Sequence, residues 1–423
     1  MPELATVASL LPGYDPEALS IELAQQAIAR FVEPLREGER VGLREALLRI
    51  TAEDVISPID VPSHDNSAMD GFALCAADLN PGGPTLLREV GVALAGKPWC
   101  EVIGPGECVR IMTGAVMPAR GDTVVPQELV SLADGHVTIP AGQTAGQHRR
   151  LRGEDLKALG TAVCAGTRLR APELGLLASL GIADVPVLRR LRVAILSTGN
   201  EIRSLGEPLR PGAIYDSNRF TLYGMLQGLG VEIVDLGVVG DDPLALESAL
   251  RQGAKRADAL ITSGGVSVGE ADFTRALLSR LGDVAFWRIA MKPGRPMAFG
   301  RIEDEGKSAF LFGLPGNPVA VMVTFLTLVQ DALLQLAGAK PRILPRLTVR
   351  SDTALTKKSG RTEYQRGIAY LAPDGWHVRV TGAQGSGILR SMSEANCLIV
   401  LPHASTSVAP GDLVEALPFE GLL

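Results

Sequence analysis

The stretch Ala259-Leu260-Ile261-Thr262-Ser263-Gly264-Gly265 reads as a strand over Ala259–Thr262 that runs into a double-glycine turn. Its apolar run lacks polar alternation, the mark of a strand covered on both faces, as in a parallel sheet. Neighbouring segments repeat the theme. Val193–Leu196, Val231–Val239 and Ala309–Phe312 read as further strands. Between them, Phe220–Leu229, Pro243–Ala254 and Phe273–Leu281 carry helical patterns, the second opened by proline at its first position. A hairpin is expected before Ala309, and Pro318–Leu336 reads as a long helix ended by Gly338. Strands alternating with helices predict a doubly wound α/β sheet.

Outward from this unit the pattern changes. Residues 17–36 read as a helix, with Leu19, Leu23, Ile28 and Phe31 on roughly helical spacing and Glu33-Pro34 closing it. Val41–Ile50 reads as a second helix, with Leu43, Leu47 and Ile50 on one face. From Ser57 to about Arg150, short apolar runs alternate with turns such as Pro81-Gly82-Gly83-Pro84 and Gly104-Pro105-Gly106, which predicts a β-rich segment. Residues 151–190 mix short strands with an apolar helix around Leu174–Leu180, and 341–423 read as a small β-barrel or sandwich.

Composition sets the outer bounds. A chain of 423 residues predicts two to four domains, and 46% apolar content supports real cores. The net charge of −6 and an aromatic content of 4% argue against a nucleic-acid partner, which would call for a basic stripe or stacking platforms. The five cysteines, Cys75, Cys100, Cys108, Cys164 and Cys397, form no C-x-x-C pair, which excludes a disulfide scaffold and an ordinary zinc site. Met1–Asp15 lacks the basic residues of a signal peptide, and the apolar run Val319–Val329 is too short for a bilayer. A soluble, reduced, cytoplasmic protein without a membrane or nucleic-acid role is the expectation.

Several loops carry chemistry. Ser263, Gly264 and Gly265 lie at a strand's carboxyl end, where such sheets bind ligands and glycine lets the backbone approach a phosphate. In Pro315-Gly316-Asn317-Pro318, Asn317 suits a helix cap and Pro318 the first helical turn, whose N–H groups attract anions. Met291-Lys292-Pro293-Gly294-Arg295-Pro296, with Arg288 before it, sets cations on a turn and suits oxyanions. Gln147-His148-Arg149-Arg150-Leu151-Arg152 is a further basic cluster that could grip a phosphate or form surface ion pairs. The acids Asp70, Asp155, Glu201, Asp241 and Asp272 all sit on loops or helix starts and could supply oxygen ligands to Mg²⁺ alongside a substrate phosphate. Asp272, and either Asp241 or Asp242, could equally serve only as helix caps. No Ser-His-Asp, Cys-His or paired-carboxylate hydrolase pattern is present, so the chemistry points to anion positioning and a metal.

The strings Asp65-Asn66-Ser67-Ala68-Met69-Asp70-Gly71, Arg152-Gly153-Glu154-Asp155, Ser197-Thr198-Gly199-Asn200-Glu201 and Tyr215-Asp216-Ser217-Asn218-Arg219 resemble the bacterial molybdopterin molybdenumtransferase family. So do Arg110–Ala115, Ser263–Asp272, Lys292–Pro296 and Leu314–Pro318, in order through roughly residues 15–420. The gephyrin C-terminal domain shares the pattern. The resemblance implies a multi-domain α/β fold with an elongated N-terminal domain (1–56 with 148–185), an inserted β-rich domain (57–147), a molybdopterin-binding α/β domain (186–340) and a C-terminal β domain of barrel-like form (341–423). It implies an enzyme that inserts molybdate into adenylated molybdopterin with Mg²⁺ and releases AMP. It also implies a homodimer with composite sites, and possible contact with other cofactor-synthesis proteins.

By the same resemblance Asp70, Thr113, Asp155, Glu201, Asp241 and Asp272 are catalytic, with Glu201 and Asp241 as metal ligands. Ser263, Gly264, Gly265, Arg288, Lys292, Arg295, Pro315, Asn317 and Pro318 bind substrate. Arg288 and Arg295 stand where relatives can carry Lys, and Ala320 where many carry Ser. Two alternatives differ in class. One is a molybdopterin adenylyltransferase, whose single domain resembles residues 191–340, and the extra domains and the Lys-Pro-Gly-Arg-Pro string argue against it. The other is a non-catalytic scaffold of the gephyrin kind, which a fused partner domain would favour.

Overall fold

The computed structural model describes residues 3–265 and 271–419. At its centre is a six-stranded sheet. Its strands are Arg192–Thr198 (β1), Glu232–Val239 (β2), Ala259–Ser263 (β3), Gly282–Arg288 (β4), Pro296–Asp304 (β5) and Lys307–Leu314 (β6), in spatial order β2-β1-β3-β6-β5-β4. The pairs β1–β2, β1–β3 and β3–β6 are parallel, whereas β4–β5 and β5–β6 are antiparallel. The expected hairpin is thus a three-strand meander added to a parallel core. Every residue of β3 is buried, the apolar run Ala259-Leu260-Ile261 as a two-sided strand requires and Thr262 and Ser263 with it.

Helices cover both faces. Asn218–Leu229 (α1) and Pro318–Leu336 (α4) pack into one cluster with Phe299, Phe310 and Phe312 of the sheet. Pro243–Arg256 (α2) and Ala271–Leu281 (α3) close the other face through Leu246, Leu250, Leu277 and Leu278. α4 is longer than the apolar run suggested, and by length and composition it could cross a membrane. Its apolar residues are instead spent on the core, where Val319, Val321, Val323, Phe325 and Val329 are fully buried. A π-turn at Phe325–Val329 interrupts it, and there Gln25 Nε2 donates to the Thr327 carbonyl at 2.8 Å.

The helix expected over residues 17–36 is shorter, spanning Ile21–Phe31, and is capped by Ser20 Oγ, which accepts from the Leu23 N–H at 3.2 Å. It lies on the central sheet, with the Phe31 ring edge-on to Phe299 and Phe310 at 5.7 and 5.9 Å. The helix expected over Val41–Ile50 does not form. Gly38–Gly42 is a strand paired antiparallel with Asp184–Leu188, and turns follow it. Leu48 has φ +64°, which no right-handed helix accommodates, and Leu47 is exposed. Three apolar residues at helical spacing were outweighed by pairing with a distant strand. The helix expected around Leu174–Leu180 spans Ala171–Ser179.

The β-rich segment forms a second six-stranded sheet, in spatial order Thr123–Pro126, Gly71–Leu74, Glu107–Ile111, Thr85–Ala93, His136–Ile139 and Ser131–Ala133. It has a small core on each face. The carboxyl-terminal segment is a closed five-strand barrel: Thr362–Ala372, Gly375–Val380, Leu347–Ser351, Leu413–Pro418 and Cys397–Leu401, which pairs back to the first. Met291–Lys292 of the central unit adds to Thr362–Glu363 as a parallel strand, with Lys292 opposite Glu363. That pairing sets the cationic turn against the barrel.

Candidate functional site

The carboxyl ends of β1, β3 and β6 converge on a cleft of about 510 Å³. Its wall includes Thr198, Glu201, Asn218, the turn Ser263-Gly264-Gly265 and the turn Gly316-Asn317-Pro318. Backbone conformation selects glycine at two positions of this wall, and at Gly264 a backbone contact requires it as well. Gly264 has φ +95°, and a Cβ there would stand 2.6 Å from the Thr198 carbonyl oxygen. Gly199 has φ +144°, and a Cβ there would fall 2.6 Å from the Glu201 carboxylate. Asn218 joins the two turns: its Nδ2 donates to Ser263 Oγ at 2.8 Å and to the Gly316 carbonyl at 2.7 Å.

A second cleft, of about 620 Å³, lies on the other side of Gly316-Asn317 and shares those two residues. Lys292, Arg295 and Pro315 line it from the α/β unit, and Arg361, Gln384 and Ser386 from the barrel. Lys292 Nζ donates to Glu363 Oε1 at 3.0 Å. Arg295 is exposed; its carbonyl accepts from the Ile289 N–H at 2.7 Å, but its guanidinium makes no hydrogen bond or ion pair among the described residues and is free to meet a ligand. Arg288 lies apart, in an adjoining recess of about 140 Å³ that shares Arg295 and Arg361, and it pairs with Glu17 at 2.9 Å. Asn317 occupies the cap position of α4, but its side chain makes no cap hydrogen bond. The Val319 N–H donates to the Ser386 carbonyl at 3.1 Å, so the barrel already uses one of the free donors expected at this helix start.

The acidic residues divide into two groups. Glu201 faces the first cleft. Asp241 is tied to the same loop by a reciprocal pair, its Oδ2 accepting from the Asn200 N–H and its own N–H donating to Asn200 Oδ1, both at 3.0 Å. Capping of α2 falls to Asp242, which accepts from the Ala245 N–H at 2.9 Å. The two adjacent aspartates therefore have separate tasks, which the sequence left open. The side chain of Asp272 and residues 266–270 lie outside the described residues.

Asp70, Thr113 and Asp155 line neither cleft of this chain. Asp70 Oδ1 accepts from both the hydroxyl and the N–H of Thr113 at 2.7 Å. These two bonds, the hydroxyl's first, hold the Asp70 carboxyl below its usual range. Asp155 is exposed, and its N–H donates to the Val61 carbonyl. Asp65 links their loops, accepting from Arg149 Nε at 3.0 Å and the Arg152 N–H at 2.7 Å. With Arg152 also paired to Asp60, two arginines of the basic cluster 147–152, Arg149 and Arg152, are held in ion pairs.

Three family profiles match the chain: the MoeA N-terminal region (domain I and II) over residues 19–181, a probable molybdopterin binding domain over 194–335, and the MoeA C-terminal region (domain IV) over 348–419. A molybdopterin molybdenumtransferase of Haemophilus influenzae is 43% identical over 404 residues, spanning 94% of this chain and 98% of that one. The chain belongs to the molybdopterin molybdenumtransferase family. It is an enzyme of that type, with a role in molybdenum cofactor biosynthesis. A relative of the same name from Nostoc is 38% identical over 90% of this chain and 89% of its own. Among solved structures, a molybdopterin biosynthesis MoeA protein of Pyrococcus horikoshii superposes with TM-score 0.72 at 31% identity, covering 95% of this chain and 99% of that one. Another molybdopterin biosynthesis MoeA structure, from Pyrococcus horikoshii OT3, gives TM-score 0.79 at 26% identity, with 95% of this chain and 100% of that one covered. The multi-domain fold implied by the resemblance is borne out.

Sequence reasoning assigned no part to Asn218, Arg361 or Glu363. Asn218 lies in a string quoted for the family resemblance, and Arg361 and Glu363 in a further matching string, residues 361–367, but the part each plays near the clefts depends on contacts between distant segments. Only the strand pairing between residues 291–292 and 362–363 reveals the contribution of the barrel.

Proposed function

We propose that the chain transfers molybdenum from molybdate to adenylated molybdopterin and releases AMP. The observation that carries this reading is the pair of clefts meeting at Gly316-Asn317, one built for a phosphate group and one for a free oxyanion. In the first, Gly264 and Gly265 allow close backbone approach to a pyrophosphate. Ser263 Oγ accepts from Asn218, which leaves its hydroxyl proton for a phosphate oxygen. In the second, Lys292, Arg295 and Arg361 offer one point charge and two planar forks to a tetrahedral dianion. The shared turn holds the two ligands side by side, which converts their encounter into a positioned reaction.

Glu201 and Asp241 are the carboxylates that would hold Mg²⁺. Among the described residues no group of three His, Cys, Asp or Glu could hold a metal alone, and Mg²⁺ commonly completes its shell with substrate phosphate and water. The bound ion would neutralise charge developing on the phosphate group as AMP leaves.

Asp70, Thr113 and Asp155 form a separate acidic patch, and in this reading a second copy of the chain brings it to the clefts of the first. The working form is then a cytoplasmic homodimer with composite sites. AMP released from adenylated molybdopterin, measured with and without molybdate in the presence of Mg²⁺, tests the assignment. Release that ignores molybdate would refute it.

A further inference from the structure

Parallel pairing places Lys292, which lines the second cleft together with Arg295 and Arg361, opposite Glu363, a carboxylate set behind the cleft wall. Glu363 is only 3% exposed. Its Oε1 accepts from Lys292 Nζ at 3.0 Å and from Gln365 Nε2 at 3.1 Å. Its Oε2 is buried without a hydrogen bond, with the Arg361 guanidinium 3.8 Å away. A buried carboxylate with one oxygen unsatisfied contributes little to stability. Lys292, by contrast, is 45% exposed along its side chain, so its ammonium is available to a ligand. The acid therefore sits behind the cations that an incoming oxyanion would use.

Resting on the proposed oxyanion role of this cleft, we infer that Glu363 is a positioning residue that competes with the bound oxyanion for the Lys292 ammonium. Lys292, Arg295 and Arg361 alone would carry three positive charges. Glu363 lowers the sum by one, leaving a charge matched to a dianion. A cleft without it would hold tetrahedral dianions too firmly. The metal has to leave these cations to reach its acceptor, and the competing carboxylate keeps the bound state shallow enough for that step.

Glu363→Gln removes the charge and keeps the shape. Calorimetric titration with molybdate and with perrhenate, a tetrahedral monoanion, reads the effect. Molybdate should bind about tenfold tighter, and perrhenate about threefold, because a change in local potential acts on two charges in one and one in the other. In turnover, KM for molybdate and kcat should fall together, with kcat/KM nearly unchanged, the pattern of added ground-state binding. Glu363→Asp keeps the charge but withdraws it from Lys292. It should tighten molybdate by a smaller factor, and it decides the matter if the Gln variant fails to fold. Weaker or unchanged molybdate binding in either folded variant would overturn the inference. If the wild-type protein binds neither anion, the oxyanion reading of the cleft itself falls, and this inference with it.

Discussion

Adjacent aspartates at one strand end show how much a single hydrogen bond can decide. Asp242 Oδ2 caps α2, whereas Asp241 accepts from the loop that carries Glu201. Asn caps a helix about as well as Asp, so Asp242→Asn should leave both stability and turnover near wild type. Asp241→Asn keeps the shape but removes the hard anionic ligand proposed for Mg²⁺. Its stability cost should be about 0.5 kcal/mol or less, while AMP release falls by about 100-fold. Melting and turnover measured on one preparation check the pair, and near-wild-type turnover in Asp241→Asn would sink its metal role.

A different residue-scale effect sits on the barrel. His377 Nδ1 meets Asp352 at 2.8 Å, and its Nε2 meets Asp374 at 3.0 Å. The hydrogen bond to Asp352, ahead of that to Asp374, raises the imidazole above its ordinary 6.5. The same contacts hold both carboxyls below 3.8, Tyr370 adding to the effect on Asp352. The histidine's contribution to stability is complete below pH 6.5 and is lost as pH rises through its raised value. The aspartates' contribution is present above pH 3.8 and is lost as pH falls through their lowered values. The melting-temperature gap between wild type and His377→Gln should therefore be widest near pH 5–6 and shrink by pH 9. A gap that does not change with pH would contradict the ion-pair account.

At the scale of elements, the cationic turn is held by its fit against α4. Gly294 has φ +102°, and a Cβ there would stand 2.3 Å from Thr324 Oγ1. Gly294→Ala should cost about 1–3 kcal/mol through strain and overpacking. It should also weaken molybdate binding by displacing Lys292 and Arg295. Denaturant unfolding and calorimetry measure the two effects, and a variant with unaltered affinity would show that the turn's position does not matter. The elements most legible in the sequence were those whose local pattern agrees with their final packing. β3 opens with the unbroken apolar run Ala259-Leu260-Ile261, and α2 carries proline at its start. Val41–Ile50 was misread because its spacing suits a helix while its partner, Asp184–Leu188, lies far along the chain. The π-turn in α4 left no local mark either, since its freed carbonyl is met by Gln25, distant in sequence.

On the scale of the whole molecule, the sequence showed the anion-friendly turns but not that two of them share Gly316-Asn317 between separate clefts. Nor could it show Glu363 meeting Lys292, or Arg361 sharing their cleft, because strand pairing between the α/β unit and the barrel brings them together. Asp70 and Thr113 remain outside both clefts of their own chain, which leads to a test by subunit mixing. Asp70→Asn and Lys292→Ala homodimers should each be impaired. A mixed population should regain some activity, since one site of the heterodimer carries neither change. Absence of recovery despite demonstrated subunit exchange would contradict composite sites.

The central claim is that molybdenum transfer and AMP release are one coupled event at the paired clefts. A single-turnover reaction with limiting adenylated molybdopterin tests it, counting AMP and molybdenum-loaded cofactor in the same quenched samples. The two should appear in equal amounts at every time point, with little AMP when molybdate is omitted. Full AMP release without molybdate, or loaded cofactor accumulating without AMP, would contradict it.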